Sequence, residues 1–247
     1  MNPVLEICAG DVGSVRAAAA GGAARVELCS ALSEGGLTPS AALIEYAVSM
    51  DKLRTHVLIR PRTGDFLYDA DEVAVMERDI AMAVELGAHG VVIGALTPGG
   101  DVDMDVCRRL VSAARGRSVT FHRAFDRCRD ASSALEDIIS LGCDRVLTSG
   151  QAPVALEGAE TLRRLVDQAA GRICIMPGSG VSPHNAAEIL RKSGATEIHA
   201  SARRPVSSRM IYKNDKVYMG AADADENEIL VTSADVVADI INAINNL

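Results

Sequence analysis

Two short apolar runs end in the same chemistry, Glu6-Ile7-Cys8 and Glu27-Leu28-Cys29. Residues two apart on a strand share a face. Read as strands, both runs send a carboxylate and a thiol in one direction near their C-terminal ends. An ordinary core would place Val or Ile there, because an unpaired buried carboxylate is costly. Making that choice twice marks a site in which Glu6 or Glu27 takes up a proton. The plainer alternative is that the cysteines fill small core gaps and each glutamate pairs with an arginine.

Similar residues end other apolar runs. Arg60 and Arg62 follow "HVLI" and share a face in an extended reading. They either neutralise Glu6 and Glu27 or clamp a carboxylate or phosphate of a ligand. His122 ends "SVTFH", next to Arg123 and Asp126. A lone histidine is often a core group, but among carboxylates it suits ligand binding or proton donation. The stretch "MPGSGVSPHN" offers Gly178, Ser179 and Gly180 as a backbone cradle for an anion, with Ser182-Pro183 opening a helix behind it. The alternative is a tight turn that needs glycine. The spacing and missing lysine exclude a Walker loop. His199, Ser201 and Arg203 follow another apolar run, and His199 and Ser201 join the ligand-holding set. Cys107, Cys143 and Cys174 read as core fillers, and Cys128 is left open between the two roles.

These residues need a scaffold that brings strand ends together. Gly22, Gly87, Gly142 and Gly194 each close an Ala/Leu/Arg-rich helical pattern, 50 to 65 residues apart. Each precedes a short apolar run, respectively Val26–Leu28, Gly90–Ile93, Arg145–Leu147 and Glu197–Ala200. Glycine past a helix end supplies a left-handed cap. Further strands are expected at Val4–Cys8, His56–Arg60, Ser118–His122 and Ile173–Met176. Strands alternating with helices imply parallel βα units, and eight of them close into a single-domain α/β (β/α)8 TIM barrel over residues 1–247. Thr38-Pro39 and Ser182-Pro183 are expected helix starts, Asp11 and Asp71 are expected caps, and the last helix begins near Ser233. In such a barrel the chemistry sits at the C-terminal strand ends, where all the residues above fall. The opposite ends carry little beyond Gly, Ala and turn residues. The long segment 202–232 interrupts the rhythm. Its "MIYKNDKVYM" reads as a hairpin turning at Asn214-Asp215, and the whole as a rim or lid over the top face.

Composition narrows the function. The chain has 247 residues, 48% of them hydrophobic, with no Trp, 3 Phe and 4 Tyr, so aliphatic side chains fill the core and a base-stacking surface is disfavoured. A net charge of −8 argues against nucleic-acid or anionic-membrane partners, though not against a local cationic pocket. No secretory signal or membrane-length apolar run is evident. Six scattered cysteines without CxxC spacing point to reduced thiols in a cytoplasmic protein.

The blocks "LEICAGDVGSVRAAAAGGAARVELCSALSEGGLTPS", "VLIRPRTGDFLY", "TFHRAFD", "VLTSG", "GSGV" and "EIHASA" together resemble the CutC family, named for copper homeostasis. The resemblance runs from about Val4 into the last helix, with the blocks in the family's order. It implies a (β/α)8 barrel, a cytoplasmic location and a homo-oligomer. It also implies Cu(I) as ligand, held by Cys8 and Cys29, since soft thiolates select Cu(I). Two functions therefore compete. One is a Cu(I)-binding role in copper homeostasis. The other is an isomerase- or lyase-like enzyme on a small polar, phosphorylated or sugar-like substrate. In that enzyme Glu6 or Glu27 is the base and His122 the acid, while Arg60, Arg62, Arg123 and Gly178–Gly180 hold an anion.

Overall fold

The structure is a computed structural model of the chain and describes residues 3–50, 52–214, 217 and 227–247. Eight parallel strands form one sheet: β1 (Val4–Ala9), β2 (Arg25–Leu28), β3 (Arg54–Leu58), β4 (Gly90–Ile93), β5 (Ser118–Phe121), β6 (Arg145–Thr148), β7 (Cys174–Pro177) and β8 (Glu197–Ala200). They pair in the order 7-6-5-4-3-2-1-8. β7 and β8 adjoin at the seam, where a Cβ added to Gly178 would lie 3.3 Å from the His199 Cβ. The sheet thus curls into a nearly closed (β/α)8 barrel. Helices α1 (Val12–Ala20), α2 (Ala41–Val48), α3 (Ala70–Glu85), α4 (Met104–Ala113), α5 (Ala131–Ser140), α6 (Ala159–Ala169), α7 (Ala186–Ser193) and α8 (Ala234–Asn245) alternate with the strands. The eight expected strands are those found, with ends moved by no more than two residues.

Alternation along the strands separates two interiors. Ile7, Val26, Leu28, Val57, Val91, Ile93, Val119, Phe121, Val146, Ile175 and Ile198 face the helices in the main apolar layer. The residues between them turn into the barrel, as the pleat requires. α8 closes the ring by burying Val237, Ile240 and Ile244. Gly22, Gly87, Gly142 and Gly194 all have positive φ, between +72° and +92°, as the helix-end reading demands.

Several helix starts differ from expectation for local reasons. Asp11 caps α1 as expected, accepting from the Ser14 N–H at 2.8 Å. α3 is capped by Asp69, not Asp71, because Glu72 completes a reciprocal capping box with it. Ser40 caps α2, since the Thr38 hydroxyl accepts instead from the Arg60 N–H at 3.0 Å. Likewise α7 starts at Ala186, and the Asn185 side chain accepts from the Ser182 N–H at 2.8 Å.

In the 202–232 segment, β9 (Arg203–Ser207) and β10 (Glu228–Thr232) pair antiparallel. The ribbon is fixed at its base by Ser233 N–H to Ala202 O at 2.9 Å and Thr232 N–H to Ser14 Oγ at 3.2 Å. Val206, Ile229 and Leu230 on it are exposed. Of "MIYKNDKVYM", where a hairpin is expected, Met210–Asn214 form no strand, and the Val217 N–H reaches Asn214 O at 3.4 Å. Asp215, its expected turn, lies outside the described residues.

Candidate active site

The inward-facing rows carry most of the barrel's buried charge. Arg25 and Glu27 are two apart on β2, and Glu197 and His199 two apart on β8. β1 runs between these strands, and the register sets Glu6 opposite both Arg25 and His199. Glu6 is fully buried, and Arg25 donates through Nε to one of its carboxylate oxygens and through Nη2 to Glu197. Glu197 also accepts from Arg145 Nε at 2.9 Å, and Arg145 Nη1 reaches Ser118 Oγ at 3.1 Å and Thr120 Oγ1 at 3.3 Å. An alternating chain Glu6–Arg25–Glu197–Arg145 thus crosses the lower interior. The barrel's opposite end is therefore not inert, contrary to the sequence expectation. The signal was the period-two pairs "RVE" and "EIH", which carry charge at the start of a strand as well as at its end.

Above this chain sits His199. Its Nδ1 lies 2.8 Å from the second Glu6 oxygen, and its Nε2 lies 3.9 Å from Glu27 Oε2. Burial works against a charged imidazole here, but Cys8, Glu27 and Glu6 outweigh it and raise the His199 pKa well above the usual histidine value. Burial also works against an ionised Glu6, yet Arg25 and His199 hold its carboxyl well below the ordinary range. Glu27 has no such support. Among the described residues nothing donates a hydrogen bond to it, and burial, with Glu6 nearby, lifts its pKa to about 7 despite the pull of His199. Two arginines and an imidazolium against Glu6 and Glu197 leave one positive charge, which an ionised Glu27 cancels. Glu27 and His199 thus share a proton as a coupled pair. His56, deeper inside, is pushed down to about 3 by burial and stays neutral.

The structure separates the other expected site residues. Arg60 is buried but pairs with neither glutamate. Its guanidinium donates to the carbonyls of Glu34, Gly36 and Gly64 at 3.0, 3.1 and 2.9 Å, tying two loops together. Arg62 points away from the mouth, to Glu72 at 2.5 Å and Leu67 O at 2.6 Å, because β3 ends at Leu58 and the pleat no longer governs residues beyond it. The two arginines therefore form no common clamp. Arg123 stays on the rim, half-exposed, bonded to Asp126 at 2.7 Å and Ser149 Oγ at 3.1 Å.

The Gly178–Gly180 turn is knitted to its neighbours. The Gly178 N–H goes to Thr148 O at 3.0 Å, Ser179 Oγ to Pro153 O at 3.0 Å, and Gly180 O accepts from Asn185. A Cβ at Gly178 would sit 2.5 Å from Leu147, so close packing explains that glycine. Ser201 is half-buried, and its carbonyl accepts from Thr232 Oγ1 at 3.2 Å. His122 is buried on the β5 side, with its pKa lowered to about 3 by burial and Arg60, which favours the neutral ring.

Cys8 and Cys29 lie at the same end of adjacent strands, as expected. Cys29 is fully buried under Leu58, Val92 and Leu32 and donates to Ala9 O at 3.6 Å; burial, with Glu27 and Cys8 nearby, pushes its thiol far up. Cu(I) is held by thiolates, and Cys29 is sealed from solvent as folded. Glu6, Glu27 and His199 bring donor atoms within 4.8 Å of one another. Those are two hard carboxylates and one imidazole, and Glu6 is already engaged by Arg25 and His199. Cys128 donates to Ala124 O at 3.7 Å in the core.

Comparison with known proteins now places the chain. The CutC family profile matches residues 3–204. The chain belongs to the CutC family. It is 51% identical over 244 residues to a family protein CutC of Bacteroides thetaiotaomicron, covering 98% of each chain. It is 44% identical over 247 residues to that of Vibrio campbellii, covering 99% of this chain and 100% of the relative. The solved structure of CutC from Streptococcus agalactiae, a protein named for copper homeostasis, superposes with a TM-score of 0.77 at 33% identity, over 81% of this chain and 98% of that one. Among the described residues no helix is long and apolar enough to cross a membrane.

The lone Glu27 carboxyl has a thermodynamic consequence. Its folded pKa of about 7 exceeds the unfolded value of about 4.3. Between these values the unfolded chain has released the proton and the folded chain keeps it, so stability falls as pH rises through that window. The loss is on the order of 3 kcal/mol, complete above about pH 7. Urea denaturation from about pH 5 to about pH 8 should show this decline in the wild type and a flatter profile in Glu27→Gln. Parallel profiles would contradict the assignment.

Proposed function

We propose that this CutC family member is a proton-transfer enzyme whose site lies at the C-terminal mouth of the barrel. Glu27 is the base and His199 the acid, and Glu6 and Arg25 position His199. The supporting observation is the buried Glu27 carboxyl, without a hydrogen-bond donor among the described residues and facing a charged imidazole. A carboxyl poised near neutrality is matched to taking a proton and returning it. The substrate is a small polar, phosphorylated or sugar-like molecule, and the reaction is of the isomerase or lyase type. Ligand contacts come from the rim, where Arg123 is half-exposed and Ser201 half-buried. We place the protein in the cytoplasm as a homo-oligomer, with the 202–232 segment as a rim beside the mouth. Its exposed Val206, Ile229 and Leu230 suit a contact between copies.

A thermal-shift screen of phosphorylated and sugar-like metabolites, followed by turnover assays on the hits, tests the enzyme reading. Glu27→Gln should still bind a hit but turn it over at least about a hundredfold more slowly, with an unchanged circular dichroism spectrum. Turnover that survives Glu27→Gln would refute this reading.

A second reading is Cu(I) binding through Cys8 and Cys29. It is supported by the family's name and by the two thiols at one end of adjacent strands. The sealing of Cys29 weighs against it. In competition with a Cu(I) chelator under reducing conditions, wild type and a Cys8→Ser/Cys29→Ser double variant should behave alike. Tight wild-type binding that disappears in the double variant would instead establish the copper site.

A further inference from the structure

Across the barrel from Glu27, β5 continues its inward row from Ser118 and Thr120 to His122. Two observations about His122 stand apart from the Glu27–His199 pair. First, its Nδ1 accepts the Ala124 N–H at 3.2 Å, which places the proton of the neutral ring on Nε2. Second, that Nε2 is buried and has no hydrogen-bond partner among the described residues. A buried donor left without an acceptor loses its hydration without compensation, and such orphans in a folded protein call for a partner. The ring is not loosely placed. Phe66 packs against it with centroids 5.0 Å apart, the Arg60 guanidinium lies over the Phe66 ring at 5.2 Å, and Phe121 lies 6.0 Å away. Gly94 leaves the space beside it, since a Cβ there would fall 2.5 Å from His122 Cε1. Arg60 Nε is likewise buried without a partner. The His122 Nε2–H is therefore a buried donor without an acceptor among the described residues, on the inward row of a strand three removed from the one that carries Glu27.

We infer that the substrate is a small α-hydroxycarbonyl compound whose carbonyl oxygen accepts the His122 Nε2–H, while Glu27 removes the proton from the neighbouring carbon. This rests on the proton-transfer reading above and names the substrate class for it. The step balances within the substrate. The C–H bond breaks and its electron pair forms the C=C bond. The carbonyl π pair moves to oxygen as an enediolate, held by the His122 Nε2–H with the Arg60 charge nearby. Glu27 then returns the proton to the same carbon, which restores the substrate, or to the adjacent carbon while the hydroxyl proton passes directly to the former carbonyl oxygen, so that the hydroxyl oxygen becomes the carbonyl of the isomer. No oxidant or reductant is needed. A neutral imidazole suits this task because it donates to the enediolate without giving up its proton, and a carboxylate base paired with such a donor is a known way to enolise a carbonyl.

The test is deuterium wash-in from D2O, followed by proton NMR, for glycolaldehyde, dihydroxyacetone, erythrulose and their phosphates with the full-length protein. Wild type should exchange the α-proton of at least one of them. His122→Phe, which keeps a ring and loses the donor, should slow that exchange about a hundredfold or more, and His122→Gln, which restores an N–H, should recover part of it. In parallel, 15N-labelled wild type should show a single protonated Nε2 for His122, and the hydroxamate analogue of the exchanging compound should shift it. Exchange lost in Glu27→Gln but unchanged in His122→Phe would overturn the His122 role and leave the Glu27 reading standing. Exchange lost in His122→Phe but retained in Glu27→Gln would overturn Glu27 as the base. No exchange in any compound, with the His122 signal unmoved by glycolohydroxamate, would overturn the assignment of substrate class.

Discussion

The structure depends on how a barrel interior accommodates ions. Moving a carboxylate or guanidinium out of water costs several kcal/mol unless it is paired with good geometry. The chain Glu6–Arg25–Glu197–Arg145 meets that requirement by alternating sign along strands that the register already brings side by side. Ser118 and Thr120 take up remaining guanidinium donors. Removing one partner from such a set leaves an uncompensated buried charge, so the four residues stand or fall together. Glu6 is the link to chemistry. One of its oxygens belongs to Arg25 and the other to His199, and that second contact helps to keep the imidazole charged beside Glu27.

This arrangement divides three carboxylates of similar intrinsic acidity into different roles. Glu6 and Glu197 are both engaged by arginine and stay ionised. Glu27 is equally hidden but has only His199 at 3.9 Å, so it keeps its proton to about pH 7. The same logic separates the histidines. His199 is surrounded by acidic groups and is cationic, whereas His56 and His122 are desolvated near arginines and neutral. One interior thus holds a carboxyl that titrates near neutrality, a cationic imidazole and two neutral ones, set by environment and not by residue type.

Much of this was legible from the residues alone. Glycine caps after four of the helices and apolar runs between the helical patterns gave all eight strands, because both signals are local. The repeated Glu-x-Cys ending identified the strands that carry Glu6 and Glu27. What the sequence hid were partnerships. That Arg25, not Arg60 or Arg62, pairs with Glu6 follows from strand register, which a single chain does not display. Arg60 and Arg62 diverge because β3 ends before them, an element boundary that pattern reading locates only to within a few residues. The thiol pair looked like the chemical centre on residue type. Its burial beneath Leu58 and Val92 is a tertiary fact.

The central claim is that the ion chain leaves Glu27 as the single uncommitted carboxyl of the barrel interior among the described residues. Carbon-13 NMR titration of the glutamate side-chain carboxyls, with Glu27 and Glu6 assigned by substitution, measures this directly. The account predicts that Glu27 titrates near pH 7 while Glu6 stays ionised throughout the range in which the protein remains folded. A Glu27 that titrates near the ordinary value of about 4.3, in step with the surface glutamates, would contradict it.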